Sequence, residues 1–254
     1  MTPRSSVLAA AVLIASLTPS LAPAAEFSPA QREGIEQIVH DYLLAHPEVL
    51  QETLAELDKK QAAADAEKHK DAVKEHAKAL FSSPHQVVLG NPDGKVTFVE
   101  FFDYNCGFCK RAMDDMLTLM KDDPKLKVVL KEFPVLGPGS VEAAQVAVAL
   151  RMQDKAGKKY LDFHQKLLGG RGEANKGRAL AVAKEVGADM DRLQKDMQSA
   201  EVKSTLQENF KLAETLGMNG TPSYVIGDKV VVGAVGLPAL QKDVNNATCG
   251  NETC

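Results

Sequence analysis

The sequence predicts an α/β protein in which a strand–helix–strand half and a strand–strand–helix half share one mixed sheet, with a helical block between the halves and a helical segment in front. Three observations carry this. Val96 to Phe102 reads as a buried strand and runs into Cys106-Gly107-Phe108-Cys109, followed by apolar residues at helical spacing. Val141 to about Gly217 holds helical patterns only, the last of them from Met190 to Leu216. Ser223–Ile226 and Lys229–Val232 then flank Gly227-Asp228, the pattern of a hairpin, before Leu237-Pro238 opens a last helix to about Asn246.

In chain order, the first residues read as a targeting signal. Arg4 is the positive start, Val7 to Leu17 the apolar core, and Ala22-Pro23-Ala24 the small residues before a cut after Ala24. The apolar run is too short to cross a bilayer, and no later stretch resembles a transmembrane segment. The expectation is residues 1–24 as signal peptide and a soluble product in a bacterial periplasm.

Ser28 and Pro29 form a helix start. Ile35, Ile38, Val39, Tyr42 and Leu43 form one apolar face, Pro47 breaks the helix, and Val49, Leu50, Leu54 and Leu57 continue the stripe. Residues 25–60 are too few to bury that stripe alone, so it docks within the chain or on copies of itself. Gln61 to Lys78 is Ala, Lys, Glu, Asp and His with Val73 as its only large apolar residue, which predicts a solvated helix or hinge that does not pack into a core. Residues 61–82 are therefore assigned as a linker and 83–254 as the main domain, with the helical insertion at about 139–217.

A short strand over Gln86–Gly90 and an Asn91–Gly94 turn precede the central strand. Asp122-Asp123-Pro124 ends the helix after the cysteines, and Leu126–Phe133 is the next strand, parallel to the first by the strand–helix–strand rule. The net charge of −4 and the lack of a strongly basic stretch outside the helical linker argue against nucleic acid as a partner.

The chemistry centres on Cys106 and Cys109. A helix N-terminus stabilises a thiolate through its free N–H groups and dipole, so Cys106 is the candidate nucleophile and Cys109, one turn on, the resolving thiol. Copper(I) ligation by the two thiolates is the alternative chemistry, and it requires further ligands. Cys249 and Cys254 pair locally as a structural disulfide in an oxidising compartment. Glu100 is a carboxylate in an otherwise apolar strand, six residues before Cys106 and on the same sheet face; it either serves the cysteines or reaches water at an edge. Met113, Met116 and Met120 read as a core face in preference to a copper site. His85 and His164 read as core or surface residues. His69 and His76 share a solvated helix face, and Gly169–Gly172 is an ordinary loop. No metal site and no cofactor are assigned.

From Pro84 to Asn246 the chain resembles the DsbA branch of the thioredoxin superfamily. The resemblance rests on Phe101-Phe102-Asp103-Tyr104-Asn105-Cys106-Gly107-Phe108-Cys109, the helical insertion, and Gly220-Thr221-Pro222-Ser223 before a strand. With the helical segment and charged linker in front, it is most similar to the ScsC family, suppressor of copper sensitivity protein C. The resemblance implies a thioredoxin fold with an inserted helical domain behind an N-terminal oligomerisation stalk. It also implies a cis proline at Pro222, a Thr221 backbone that pairs with extended substrate, and Glu100 relaying protons to Cys109. Threonine before that proline resembles the isomerases of the superfamily. The implied activity is protein disulfide isomerisation, with a DsbA-like dithiol oxidase or a copper-sequestering protein as alternatives. Disulfide-containing proteins docked on the apolar rim around Phe108 and Thr221-Pro222 are the implied substrates. A membrane reductase of the ScsB/DsbD type, assembly into a homotrimer and copper(I) binding complete the implied partners.

Overall fold

A computed structural model of the chain describes residues 27–154 and 156–254. The expected signal peptide lies outside the described residues. The chain divides into two compact units, one ending at Asp58 and the other running from Lys59 to Cys254.

The first unit contains α1 (Pro29–Ala45) and the start of α2 (Glu48–Glu75). Ser28 caps α1 in a reciprocal box: its hydroxyl accepts the Gln31 amide while the Gln31 side chain accepts the Ser28 amide. Pro47 separates the helices. Ile35, Ile38, Val39, Tyr42, Leu50, Leu54 and Leu57 are all exposed, and α1 buries no residue.

The second unit carries a five-stranded sheet in the order β1-β3-β2-β4-β5. Its strands are β1 (Val87–Gly90), β2 (Thr97–Phe102), β3 (Lys127–Glu132), β4 (Ser223–Ile226) and β5 (Lys229–Val232). The pair β2–β3 is parallel, joined over α4 (Gly107–Asp122), and the other pairs are antiparallel. The hairpin β4–β5 turns through Gly227 at φ 62°, a left-handed position that favours glycine. The insertion is α5 (Pro138–Arg151), α6 (Lys158–Gly169), α7 (Lys176–Glu185), α8 (Met190–Asp196) and α9 (Ala200–Thr215); α10 (Leu237–Cys249) closes the domain.

Alternation along β2 builds two cores. Phe98 and Phe102 face α4, α10 and much of the insertion, in a core that includes Met113, Met116, Tyr160 and Leu240. Val99 and Phe101 face the other way, onto Val129, Leu212 and Leu216.

Three features depart from the sequence expectations. The segment from Gln61 does pack: Val73 and Leu80 of α2 and α3 (Ala77–Phe81) are buried in the second core, with Ala72 and Ala79 against it. Small alanines let the helix approach the sheet, and two strand lysines then reach its end, Lys131 Nζ donating to the Ala79 carbonyl at 2.9 Å and Lys127 Nζ to that of Phe81 at 2.8 Å. The stretch from Met190 to Leu216 is two helices, because Ser199 starts α9 afresh by accepting the Val202 amide. The last helix continues past Asn246 to Cys249, where Gly250 takes up a left-handed cap.

Candidate active site

The site forms where β2 hands the chain to α4. Cys106 is the N-cap of α4, with an extended backbone, and its sulfur accepts the Cys109 amide at 3.3 Å. On its other side the Cys106 sulfur lies 3.2 Å from the Thr221 carbonyl oxygen, to which it donates only in its protonated form. The Thr221–Pro222 peptide bond is cis, and the Pro222 carbonyl accepts the Gly233 amide at 2.9 Å, which ties this loop to the exit of β5. Cys109 is fully buried one turn into α4, and both thiols are free.

These surroundings separate the two thiols. The Cys106 pKa falls to about 5: the hydrogen bond from the Cys109 thiol is the largest cause, and the Thr221 side chain and the Cys109 and Phe108 amides add to it against the cost of burial. Cys109 is pushed the other way, first by burial, then by its bond to Cys106 and by the Glu100 charge. At neutral pH the thiolate therefore rests on Cys106 and the proton on Cys109.

Glu100 lies in β2 opposite Leu130 of β3 and Tyr224 of β4, buried in the sheet centre. Burial, then the Cys106 and Asp115 charges, raises its pKa to about 8. A carboxyl with such a pKa exchanges protons near neutrality, the range in which a general base for a buried thiol has to work.

The bend between β2 and α4 is pinned by residues that the sequence reading quoted only as part of a motif. Asp103 is buried and accepts four hydrogen bonds: Oδ1 takes the Asn105 amide at 2.8 Å and the Ser140 hydroxyl at 2.7 Å, while Oδ2 takes the Val135 and Leu136 amides at 2.8 and 2.9 Å. Asn105 then clamps the insertion, its Nδ2 donating to the Ala174 carbonyl and its Oδ1 accepting the Ala174 amide. Short Asp and Asn side chains after a strand are a turn signal that could have found this bracket.

Around the cysteines the surface is apolar. Phe108 is exposed, with the Arg111 guanidinium 4.5 Å from its ring centroid. Val135 and Leu136, held by Asp103, and Val232, paired with Ser223 next to Pro222, are also exposed.

The remaining candidates fall elsewhere. Met113 and Met116 are buried in the core and Met120 packs against it. His164 is buried with its ring against Phe102, and burial alone lowers its pKa to about 3. His85 lies 3.4 Å from Glu201. A buried chain that the sequence did not reveal runs from Tyr104 to the Tyr160 hydroxyl at 3.4 Å and on to Glu132 at 2.5 Å. A disulfide joins Cys249 to Cys254 in the exposed C-terminal turn. Among the described residues no cluster of three or more His, Cys, Asp or Glu could hold a metal, and no helix is long and apolar enough to cross a membrane.

The DsbA-like thioredoxin domain model matches residues 97–245, more than half the chain. The chain belongs to the DsbA-like thioredoxin family. In front of this DsbA-like domain, residues 31–64 match the N-terminal domain of copper resistance protein ScsC. Among solved structures, a thioredoxin-like oxidoreductase from Silicibacter pomeroyi is 46% identical, covers 67% of this chain and 96% of its own, and superposes with a TM-score of 0.64. A linker-deletion variant of Proteus mirabilis ScsC is 27% identical, covers 89% of this chain and 99% of its own, and gives a TM-score of 0.66. A probable disulfide bond formation protein D from Bacillus cereus is 26% identical over 61% of this chain and 76% of its own length. The chain also matches sodium/proton antiporters, such as one from Salinispora arenicola at 25% identity, and spans about a quarter of their length.

Proposed function

We propose that the protein is a periplasmic, oligomeric thiol–disulfide oxidoreductase that rearranges wrong disulfides in other proteins. The observation that carries this reading is the separation of the two thiols: Cys106 as thiolate at a helix N-terminus beside the Thr221 carbonyl, Cys109 buried and protonated behind it.

In the proposed reaction the Cys106 thiolate attacks a substrate disulfide. One Cys106–substrate S–S bond forms, the substrate bond breaks, and a substrate thiolate leaves with the electron pair. That thiolate can attack another substrate disulfide, and the thiolate so released attacks the mixed disulfide, forming a new substrate S–S bond and expelling the Cys106 thiolate, which is isomerisation. Otherwise Cys109 gives its proton to the Glu100 carboxylate and attacks the Cys106 sulfur, closing Cys106–Cys109 and releasing the substrate thiolate, which takes a proton from water. Phe108, Thr221 and Pro222 form the docking rim, and the Thr221 backbone pairs with an extended substrate strand. Cys249–Cys254 is a structural bridge.

The signal peptide at 1–24 exports the chain, residues 25–60 assemble three copies, and the unit that follows catalyses, with Val73 and Leu80 of the 61–82 segment packed into its second core. The exposed stripe on α1 and α2 supports the assembly, since an apolar surface of that kind marks an interface. An isomerase has to stay reduced, so a membrane reductase of the ScsB/DsbD type is the proposed partner. Refolding of a scrambled disulfide protein by the reduced enzyme tests the function. Recovery of native pairing supports isomerisation, whereas efficient oxidation of reduced substrate with no recovery from scrambled substrate makes the protein a dithiol oxidase.

A further inference from the structure

Two buried polar atoms near the cysteines have no hydrogen-bond partner: Glu100 Oε2 and the Tyr224 hydroxyl. They belong to residues directly opposed across the antiparallel β2–β4 pair. Opposed side chains in such a pair leave the same face, with Cβ atoms roughly 5 Å apart. A buried hydroxyl or carboxyl oxygen without a partner is costly, and two on neighbouring residues can satisfy one another. One bridging water, or a small swing of either side chain, closes the gap.

The geometry points to Tyr224 as a positioning residue for the exchange reaction, its hydroxyl donating to the Glu100 carboxylate and holding it as the base for Cys109. This rests on the role proposed above for Glu100 and names the group that aims it. The Tyr224 ring is fixed for the task, buried against Phe98 at a centroid distance of 5.3 Å. The other titratable groups packed around Glu100 cannot substitute as donors. On α4 they are Cys109, Cys106 and Asp115, the first being the proton source and the other two raising the Glu100 pKa by their charge. On β3, Leu130 faces Glu100, and Glu132 two residues on is bound to Tyr160. On α10, Asp243 is paired with Lys229 at 2.6 Å. On α6 the buried His164 Nδ1 also has no partner, but its ring packs on Phe102 and Tyr104, and Tyr224 is the donor directly opposite Glu100.

The proton balance is simple. When Cys109 closes the Cys106–Cys109 bond, its proton passes to Glu100, and the tyrosine hydroxyl keeps its own proton while donating a hydrogen bond to the carboxylate. The neutral acid returns its proton to solvent before the next turnover. A donor to the ionised form favours ionisation, so the hydroxyl holds the Glu100 pKa below the value it would otherwise have in this pocket.

The test is the Tyr224→Phe protein, which loses one oxygen atom. With carboxyl carbons labelled by ¹³C, the Glu100 midpoint is expected to rise by roughly one pH unit relative to the parent protein. Release of substrate from the Cys106 mixed disulfide is expected to slow about tenfold at pH 7 and to recover at higher pH. An unmoved Glu100 midpoint, or a slowing that is equal at all pH values, would make the hydroxyl a packing group and overturn the inference. A second measurement needs no variant: in the parent protein the Tyr224 ring carbon bearing the hydroxyl should respond to the Glu100 titration, and a silent ring carbon also overturns it. Glu100→Gln separates the two claims. If it releases substrate as fast as the parent, the role of Glu100 fails together with the catalytic consequence argued here, while the ¹³C titrations still decide whether the hydrogen bond exists.

Discussion

The Cys106 sulfur lies 3.2 Å from the Thr221 carbonyl oxygen, across the gap between the helix that activates the thiol and the loop that lines its far side. The two parts come from opposite halves of the fold, β2–α4 and the turn before β4, which are neighbours because β2 and β4 pair in the sheet centre. In the proposed reaction an incoming sulfur reaches Cys106 alongside the Thr221 backbone, so that binding and attack share one geometry.

Cys106 is expected to react with iodoacetamide as a thiolate down to about pH 5, the midpoint set by the Cys109 thiol, Thr221 and the helix amides. The thiol pKa is depressed on folding, so its contribution to stability of the reduced form is complete above the ordinary thiol pKa. That contribution is lost as pH falls through about 5. Alkylation rate against pH measures the midpoint, and a midpoint near that of free cysteine would contradict the arrangement.

Glu100 carries the opposite sign. Burial raises its pKa to about 8, so the folded state holds a proton that the unfolded state releases near the ordinary carboxyl value of 4.5. Its cost to stability is absent below that value and grows until pH passes 8. Glu100→Gln is therefore expected to raise the melting temperature more at pH 8 than at pH 4, while slowing the resolution of mixed disulfides. Calorimetry at the two pH values checks the first part.

Asp103 holds the bend by accepting four hydrogen bonds. Asp103→Ala leaves buried amides without an acceptor and is expected to cost about 2–4 kcal/mol. Urea unfolding measures this. Loss of under about 1 kcal/mol would mean that solvent or the chain replaces the carboxylate.

Much of this was legible in the sequence because it depends on local pattern. The apolar run of β2, the cysteines at the head of α4 and the Gly227-Asp228 hairpin each announce themselves within ten residues. Glu100 could be singled out because a carboxylate in that run is anomalous. Other features are long-range and leave no local trace. Val73 looks like a lone valine in a solvated helix until the core built by Phe101 of β2 and Leu212 of α9 covers it. Lys131 has nothing in its local sequence to mark it, yet it is buried with its ammonium on the Ala79 carbonyl. Tyr224 reads as an ordinary strand aromatic, and its unpartnered hydroxyl depends on which residue stands opposite.

The burial of Val73 and Leu80 decides where the chain can be cut. A truncated protein beginning near Ser82 uncovers Phe101, Val129 and Leu216 and removes the acceptors of Lys127 and Lys131. It is expected to be less stable than one beginning at Lys59 by about 3 kcal/mol or more, and to aggregate on heating. Val73→Ala in the full chain is expected to cost roughly 1–2 kcal/mol. Denaturant melts of the two truncated proteins check this, and equal midpoints would show that the helix end contributes nothing to the second core.

The Lys59 truncation is also the clean test of assembly, since it keeps the whole second unit while removing the stripe Ile35, Ile38, Tyr42, Leu50, Leu54 and Leu57. The full-length mature protein is expected to be an oligomer in light scattering and the truncated one a monomer. Charge introduced on the stripe, for example Leu54→Glu with Ile38→Glu, is expected to dissociate the full-length protein without lowering the melting temperature of the catalytic unit. All the thiol chemistry survives in the monomer, since Cys106, Cys109, Glu100, Thr221 and Pro222 remain, so it is expected to exchange disulfides at an unchanged Cys106 pKa. What it loses is the neighbouring thiolates held at high local concentration around one substrate. Recovery of a scrambled protein is therefore expected to fall severalfold, and oxidation of reduced substrate to rise. A monomeric full-length protein that recovers scrambled substrate as well as any other form would sink the stalk argument and leave isomerisation to the single domain.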